Sequence, residues 1–420
     1  MKLAVASLCG LVGLVHSFPY IPISPIIPDI PPLPPLPPGP PSPPSPPPGP
    51  ESAQSHHGHH GHHGHHDTFQ NIATGFYSQP PVLNVHDRTG QIKWSFSQSD
   101  IHQQLPPKLQ HSLNIDANDA TEMKWIHGGK AVAAVYGDLV VIIKYAPGTS
   151  EDKEITFAAP RRNTVLWNTH TLEPLPDGKL AVATTGQTPG DGILVYDTTG
   201  PIVDDPPILQ NLTGQRAVHG MLWDDQASIL WATGNDHAPN GADGVTSYGT
   251  VQGYPYNRET KQLINDPSMI YRMHQAYHQR EEWGEDKGWW VGPHDISPIP
   301  NERRTIVSCD RDVFVFDVDV RDFVLSGPHV TETYMNGFVP TDDDRAGLNS
   351  KHQEESLPRS DIKSVSIAPD GSFLYVQSLW QQFQGNETNL VTNGQRTILE
   401  GGNLIYRSRW FHEIPGWPKP

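Results

Sequence analysis

Residues 167–186 read WNTHTLEPLPDGKLAVATTG, a polar stretch that reaches an Asp-Gly pair and continues into an apolar run. An Asp-Gly pair between two such segments is typical of a β-hairpin. His170 stands seven residues before the aspartate, at the head of the first strand. Residues 363–371, KSVSIAPDG, place Lys363 at the same offset from their own Asp-Gly pair. The hairpin opening is therefore a repeated unit, and a polar residue at its head recurs with it.

Three more copies of this opening extend the repeat. VHGMLWDDQASILWA and PHDISPIPNERRTIV place His219 and His294 at the corresponding point, and the weaker TEMKWIHGGKAVAAV places Thr121 there. Successive markers, from Thr121 to Lys363, are 49, 49, 75 and 69 residues apart. A second pattern ends a strand at a polar turn, in VHDRTGQI, VYDTTGPI, PYNRETKQL and VFDVDVRDF. Four-stranded blades with loop insertions have this period, so the sequence predicts an all-β fold, a single β-propeller.

Short apolar segments bounded by turn residues fill the chain beyond residue 67 and predict its strands. The candidates are IATGFY, VLNVHD, KAVAAVYG, LVVIIKY, KLAVATTG, GILVYD, SILWATG, RTIVSC and VFVFDV. We expect six blades, with 70–97 forming one unit that strands from the C-terminal end complete. Seven blades is the alternative, because the strands within 331–358 and 380–420 are hard to assign from the sequence. SMIYRMHQAYHQREEW (268–283) instead has a pattern that suits two or three helical turns.

The N-terminal part of the chain has a different composition. Residues 1–17 carry one lysine and then an apolar stretch, which predicts a secretory signal peptide shorter than the ~20 residues of a membrane span. Residues 18–66 begin with a Pro-rich stretch, a stiff polyproline II spacer. They end in HHGHHGHHGHH (56–66), which either captures Zn, Cu or Ni ions or is low-complexity sequence without a defined site. The propeller is expected over 67–420.

Charge and cysteine content exclude several classes of protein. The formal net charge is −17, from 29 basic and 46 acidic residues, and no basic run exists. Nucleic acid is therefore a poor partner. Cys309 is the only cysteine beyond the leader, so no internal disulfide forms, and we expect it on a buried strand. N-glycosylation sequons at Asn211 and Asn386 suit export. We expect a secreted, extracellular, monomeric protein without a membrane span, free or associated with a cell wall.

The repeated polar position predicts a site. The first strand of each blade lines the central channel of a propeller, so His170, His219, His294 and Lys363 should converge on one mouth. Three neutral imidazoles can hold a divalent metal ion and leave a position open, with Asp295 as a fourth ligand or a partner of a ligand. Lys363 favours an anionic ligand instead, because an ammonium repels a metal ion. The alternative is a purely structural role, in which these residues only form hydrogen bonds with buried backbone groups near the channel.

The neighbours of the markers extend this prediction to a substrate. Arg216 precedes His219 by three residues and suits a bidentate pair with a carboxylate. Trp167 and Trp290 offer stacking faces for a sugar, or else pack between blades. Uronate lyases need a positive group on the carboxylate and a base for the neighbouring proton, a role open to one of the three histidines.

The sequence thus predicts binding of an acidic oligo- or polysaccharide at the channel mouth, assisted by a divalent metal ion or by arginine and lysine. It leaves open whether the protein is an enzyme. The chemistry would be uronate-type β-elimination or, second, glycosidic hydrolysis. A non-catalytic carbohydrate- or wall-binding module is one alternative. An extracellular metal-binding protein organised by the histidine tract is another.

Four segments carry a resemblance to a known family. WNTHTLEPLPDGKLAVATTG, VHGMLWD, PHDISPIP and IKSVSIAPDG resemble segments of secreted, largely uncharacterised WD40/YVTN-like β-propellers of bacteria and fungi. The resemblance covers roughly 70–410 and implies the fold and export, but no settled reaction. More loosely, the architecture is similar to oligogalacturonate lyases and other propeller polysaccharide lyases. This second similarity transfers no residue by motif.

Overall fold

A computed structural model describes most of the chain beyond the N-terminal segments. The described residues are 69–113, 118–161, 164–185, 192–237, 245, 247–277, 292–348, 353–380 and 382–420. The predicted signal peptide and the Pro- and His-rich segment lie outside them. Among the described residues, no helix has both the length and the apolar character that crossing a membrane requires.

Strands dominate the described residues. The first seven are β1 (Asn71–Tyr77), β2 (Val82–Asp87), β3 (Ile92–Phe96), β4 (Met123–Ile126), β5 (Ala131–Tyr136), β6 (Leu139–Lys144) and β7 (Ile155–Pro160). The next nine are β8 (Thr169–Leu175), β9 (Lys179–Thr184), β10 (Gly192–Asp197), β11 (Ile208–Thr213), β12 (Arg216–Asp224), β13 (Ile229–Asn235), β14 (Ser247–Asn257), β15 (Gln262–Leu263) and β16 (Ile270–Tyr277). The remaining ten are β17 (Pro293–Pro298), β18 (Arg304–Cys309), β19 (Val313–Asp317), β20 (Asp322–Ser326), β21 (Ala346–Leu348), β22 (Glu354–Ser356), β23 (Ile362–Ile367), β24 (Phe373–Gln377), β25 (Gly385–Thr392) and β26 (Gln395–Trp410).

The described helices are short and lie between strands. They are the α-helices α1 (Pro107–Leu113) and α2 (Pro328–Tyr334), and 3-10 turns at Gln98–Asp100, His127–Gly129 and Pro267–Met269. Such short pieces cannot bury an apolar face of their own, so the core is built by the sheets.

Consecutive strands form antiparallel sheets. Three sheets hold four strands each, β4–β7, β8–β11 and β17–β20, and a fourth is built from β12–β14 with β15 and β16 both pairing β14. The fifth sheet has the order β23-β24-β25-β26-β1-β2-β3, so the last strand joins the first. The N-terminal part of β26 pairs β25 and its C-terminal part pairs β1. If β26 is counted in two blades, the sheets make six, and that count stays a prediction.

Apolar side chains fill the spaces between successive sheets. Leu222 and Trp231 of the β12–β14 sheet, for example, pack against Ile296 and Val307 of the β17–β20 sheet. Corresponding apolar layers join each sheet to the next, and another joins β23–β25 to β1. Sheets stacked face to face in a closed ring form a β-propeller, so the predicted all-β propeller fold is confirmed.

The two repeated patterns occupy fixed places in this fold. All nine candidate strand segments lie on strands, and the hairpin openings are the first and second strands of their sheets. The polar turns join the third strand to the fourth. In two of them an aspartate, Asp87 or Asp197, accepts hydrogen bonds from the backbone N–H and hydroxyl of the threonine two residues later. This side-chain turn explains the recurring polar residues.

The helix predicted over 268–283 is wrong over residues 270–277. Residues 270–277 form β16 and pair with β14. The apolar residues of this segment suit a helix as well as a strand, but exposure follows the two-residue period of a strand: Ile270 and Arg272 are exposed, whereas Met273 is buried. Residues 278–283 lie outside the described part of the chain.

Candidate functional site

Each of the four predicted channel residues lies at a β-bulge in the first strand of its sheet. In β8, β17 and β23 one extra residue interrupts the register with the second strand, and it is His170, His294 or Lys363. In β12 the interruption lies between Arg216 and Gly220, a span that includes His219. A bulge takes its extra residue out of the regular alternation and re-aims the side chain. The same backbone irregularity therefore redirects all four side chains.

The fold brings these four side chains together. The ring centroids of His170 and His219 are 4.8 Å apart, and those of His219 and His294 are 5.4 Å apart. Lys363 Nζ lies 2.7 Å from His294 Nε2. The ring of Tyr406, from β26, adds a fifth member with its centroid 5.0 Å from that of His170. Residues separated by up to 236 positions thus form one cluster, the histidine end of the channel.

Gly220 sets the distance between two of the inner strands. A Cβ at Gly220 would lie 2.6 Å from the backbone nitrogen of Ile296, closer than real Cβ contacts allow. Only glycine therefore lets β12 approach β17 so closely. This approach is what brings His219 against His294.

The cluster reaches solvent at His170. His219, His294 and Lys363 are buried, whereas His170 is half-buried. The loop before β8 exposes Trp167, whose relative exposure is 61%. A ligand from solvent would therefore meet Trp167 and His170 first.

Hydrogen bonds fix where two of the imidazoles carry their proton. His219 Nδ1 lies 2.8 Å from the Ala217 carbonyl oxygen, which only accepts, so the proton is on Nδ1 and the lone pair on Nε2. His170 Nε2 lies 3.0 Å from the Asn168 amide oxygen, which leaves the lone pair on Nδ1. That Nδ1 is buried without a hydrogen-bond partner among the described residues. The two lone pairs suit a donor group or a metal ion.

Burial keeps all three histidines neutral. Desolvation holds the pKa of His170 and of His219 well below the usual 6.5, and the next imidazole, His219 or His294 respectively, lowers it further. The pKa of His294 is lowered by desolvation and then by Lys363, although Asp310 acts in the opposite sense. At neutral pH the cluster therefore presents imidazoles rather than imidazolium ions.

Two carboxylates that the sequence did not single out lie at this cluster. Asp310 Oδ1 is 3.0 Å from His294 Nε2, and Asp361 Oδ1 is 3.6 Å from Lys363 Nζ. His294, Asp310 and Asp361 are all buried, and each offers a ligand atom within 4.8 Å of the other two. Both aspartates lie directly beside a strand end, where carboxylates usually cap turns, so no sequence signal set them apart.

Arg407 lies against the backbone of the cluster. Its Nη2 donates to the carbonyl oxygens of His219 and His294, at 2.5 Å each, and its Nη1 donates to the carbonyl of His170. Its Nε is 3.4 Å from the carbonyl oxygen of Lys363. One guanidinium thus joins the inner strands of four sheets through the residues at their bulges.

A further set of ion pairs involves Asp295, the predicted companion of His294. Its carboxylate pairs with Arg409 at 2.7 and 3.1 Å, and Arg409 also pairs with Glu122 at 2.7 and 3.0 Å. Glu122 accepts from Arg407 as well, at 3.2 Å. The carboxylate of Asp295 therefore pairs with an arginine rather than with the imidazoles. As a metal ligand it stays a prediction.

A sequence pattern could have predicted that the arginines of β26 are functionally or structurally important. Residues 405–410 read IYRSRW, which puts two arginines at a spacing of two in an otherwise apolar strand. Two arginines on one face of a buried strand require acceptors from other elements. The hairpin-opening repeat does not reach this segment, so no repeated position marks these two arginines.

The remaining predicted residues are dispersed or lie outside the description. Arg216 begins β12, is half-buried, and makes no ion pair with another described residue. Trp290 lies outside the described residues. Asn211 is exposed on β11, the last strand of its sheet, whereas the Oδ1 of Asn386 is buried within β25. Cys309 is buried on β18, where its sulfur lies 3.8 Å from the sulfur of Met273.

Comparisons with known proteins add a general likeness to propellers. No protein-family model matches the chain, and no curated protein matches it. The WD40 β-propeller domain of Doa1 has 11% identity and a TM-score of 0.40, covering 73% of this chain and 71% of its own. The Cps50 (Swd1) β-propeller domain of Myceliophteria thermophila has 10% identity and a TM-score of 0.40, covering 82% and 90%. Hydrazine synthase of Kuenenia stuttgartiensis has 11% identity and a TM-score of 0.39, covering 68% and 67%.

At such identities these likenesses say nothing about a ligand, and the propeller assignment rests on the sheets of this chain. The WD40/YVTN-like family and export stay predictions.

Proposed function

We propose that the histidine end of the channel binds an acidic oligo- or polysaccharide through its hydroxyl groups and a carboxylate. One observation carries the proposal: the neutral imidazoles of His170 and His219, whose lone pairs are unshared, lie beside His294 and the ammonium of Lys363. The cluster thus combines acceptors for hydroxyl groups with positive charge for an acid. An acidic sugar is a ligand that needs both.

The lone pairs favour a sugar over a simple anion. His219 Nε2 and His170 Nδ1 accept hydrogen bonds and do not donate them. Phosphate or sulfate ions present mostly acceptor oxygens, which these lone pairs repel. Sugar hydroxyl groups donate, and several of them lie close together on one ring. This supports a saccharide as the ligand class.

Arg216 is the proposed partner of the carboxylate. It precedes the bulge that carries His219, and no other described residue forms an ion pair with it. A guanidinium that forms no ion pair within the described part of the chain is ready for a bidentate bond to a carboxylate. Trp167, exposed beside the entrance, offers a flat face for the apolar side of a sugar ring. Trp290 keeps the same proposed role.

The proposed setting is extracellular. The leader at 1–17 and the sequons at Asn211 and Asn386 fit a secreted glycoprotein. Acidic polysaccharides of cell walls and matrices are the ligands such a protein meets, and the Pro-rich segment would serve as a spacer. A monomer suffices, since one chain supplies every proposed ligand contact.

Replacing Arg216 tests the proposal directly. We expect Arg216→Gln to weaken binding of an oligouronide about tenfold to a hundredfold, the value of a charge-assisted bond. Isothermal titration with the acid and with its methyl ester measures this. The ester should bind both proteins equally and weakly. Arg258→Gln, in the exposed turn after β14, is the matched control and should change nothing. Failure of wild-type protein to bind any uronide in a broad panel contradicts the proposal.

Uronate β-elimination is the second candidate, favoured by the fixed tautomer of His219. Its Nε2 carries a lone pair and its Nδ1 is anchored on a backbone carbonyl, as a general base requires. Its lowered pKa makes it a weak base, which is why binding ranks before catalysis. Ultraviolet absorbance of unsaturated uronides decides the matter. Lyase activity that is lost in His219→Gln and kept in the control His329→Gln supports a lyase. If the wild-type protein shows no lyase activity, the site is a non-catalytic binding site.

A further inference from the structure

A donor set for a divalent ion lies at the inner side of the histidine end. His294 of β17, Asp310 after β18 and Asp361 before β23 offer ligand atoms within 4.8 Å of one another, and all three residues are buried. One imidazole and two carboxylates at such separations suit manganese, zinc or a similar ion. Asp310 and Asp361 are not among the metal ligands that the sequence predicted.

Lys363 already supplies a positive charge to this set. Its Nζ lies 2.7 Å from His294 Nε2 and 3.6 Å from Asp361 Oδ1. The same Nε2 faces Asp310 Oδ1 at 3.0 Å. An imidazole nitrogen has a single position in the plane of the ring, so at any moment Nε2 accepts from the ammonium, donates to Asp310 or binds a metal ion. The ammonium therefore competes for the coordination position of His294.

Cations already face the carboxylates of this set. The Lys363 ammonium lies 3.6 Å from Asp361 Oδ1, and the buried guanidinium of Arg345, which pairs with Asp342 at 2.9 Å, lies 3.8 Å from Asp361 Oδ2. A divalent ion would add two positive charges to a buried set that already lies beside these cations. Uncompensated charge in such surroundings is strongly unfavourable. An ion could bind there only if an existing cation left.

We propose that the Lys363 ammonium is the resident cation of the His294–Asp310–Asp361 set and excludes divalent metal ions from it. The positive charge beside the ligand then comes from a side chain, and ligand binding does not depend on metal. This deepens the proposed saccharide site and rests on it only for the identity of the ligand. Lys363 is accordingly a residue that sets the specificity of the site for cations.

Manganese binding to full-length variants tests the proposal. Mn²⁺ is titrated into wild type, Lys363→Ala, Lys363→Arg and the double variant Lys363→Ala/Asp310→Asn, and free ion is read by electron paramagnetic resonance. The histidine tract at 56–66 is present in all four and contributes equally. We expect Lys363→Ala to gain one site at least tenfold tighter than any in wild type. Lys363→Arg and the double variant should not gain it.

Two results would overturn the proposal, and each can be obtained separately. One is a wild-type Mn²⁺ site that Asp310→Asn removes, which needs no Lys363 variant and decides the matter if Lys363→Ala does not fold. The other is a folded Lys363→Ala protein without a new site. Oligouronide titration with and without a chelator is a separate arm. Loss of affinity in chelator contradicts metal-independent binding, whereas a lack of any uronide binding contradicts only the proposed function.

Discussion

Arg407 donates hydrogen bonds to backbone carbonyls that the β-bulges leave unpaired. A bulge leaves the extra residue outside the regular ladder, so its carbonyl needs another donor. The carbonyl oxygens of His170, His219 and His294 all find that donor in Arg407. The arginine and the bulges therefore act together: the bulges bring the side chains into one cluster, and a single guanidinium satisfies the backbone carbonyls that the bulges leave unpaired.

Arg407→Met should be strongly destabilising. It leaves three buried carbonyls without their donor and removes a cation from Glu122, so we expect a loss of about 3 to 5 kcal/mol in the free energy of unfolding. Urea denaturation measures this. Arg258→Met, on an exposed turn, should change stability by less than about 0.5 kcal/mol.

The structural and positioning roles of Arg407 can be separated. Arg407→Lys keeps the charge but cannot reach all the carbonyls, so it should restore part of the stability and weaken uronide binding. Oligouronide titration of this variant supplies that readout. An Arg407→Met protein as stable as wild type contradicts the account of the bulges.

Single residues also mark the limit of prediction from the sequence. His170, His219, His294 and Lys363 share an offset from a turn, and a shared offset in a repeated fold becomes a shared height around an axis. Asp310 and Asp361 have no such offset, and their role follows only from the approach of strands far apart in the chain. Repetition predicts which residues converge, but not which other residues meet them.

At the scale of elements, the inner strands determine how the cluster responds to acid. Desolvation lowers the pKa of all three imidazoles below the usual 6.5 in the folded chain, and the close approach of the rings adds to this for His170 and His219. The unfolded chain therefore binds more protons as the pH falls through this range. Stability contributed by the cluster is complete above pH 6.5 and is lost as the pH falls toward the folded pKa values. Lys363 and Arg407 add to the effect, and Asp310 opposes it.

Urea titrations between about pH 7.5 and pH 5.5 check this direction. Each histidine adds up to about 1.4 kcal/mol per pH unit to the slope, so His219→Gln should flatten the profile by about that amount. His329→Gln, on the exposed face of α2, should leave the slope unchanged. Equal slopes in wild type and His219→Gln contradict the picture of neutral, desolvated imidazoles.

Elements also show where a sequence pattern is ambiguous. Short apolar segments bounded by turn residues predicted nine strands, and each of these segments lies on a strand. The segment over 270–277 has apolar residues that suit either period, and pairing with β14 selects the strand. The closing strand β26 was anticipated only as completion from the C-terminal end, since no hairpin opening marks it. Tertiary pairing decides in both cases, and a local pattern does not contain it.

At the scale of the whole molecule, charge opposes the ligand that the site is proposed to take. The net charge is −17, so the surface as a whole repels a polyanion while the histidine end attracts one carboxylate. A short oligouronide touches mainly the site, whereas a long polyuronide extends over acidic surface. Salt screens both interactions within a Debye length of about 10 Å at 0.1 M. It therefore weakens binding of the short ligand and relieves repulsion of the long one.

We accordingly expect the ratio of long-chain to short-chain affinity to rise about threefold or more as NaCl increases from about 20 mM to about 300 mM. Titration calorimetry with a trimer and a long polymer of the same uronide, both expressed per binding segment, measures the ratio. The methyl-esterified pair is the control, and its ratio should not respond to salt. A basic binding surface predicts the reverse, with the long polymer losing affinity most steeply. That result would mean that the acid binds away from the histidine end, on a cationic surface that the composition of this chain does not suggest.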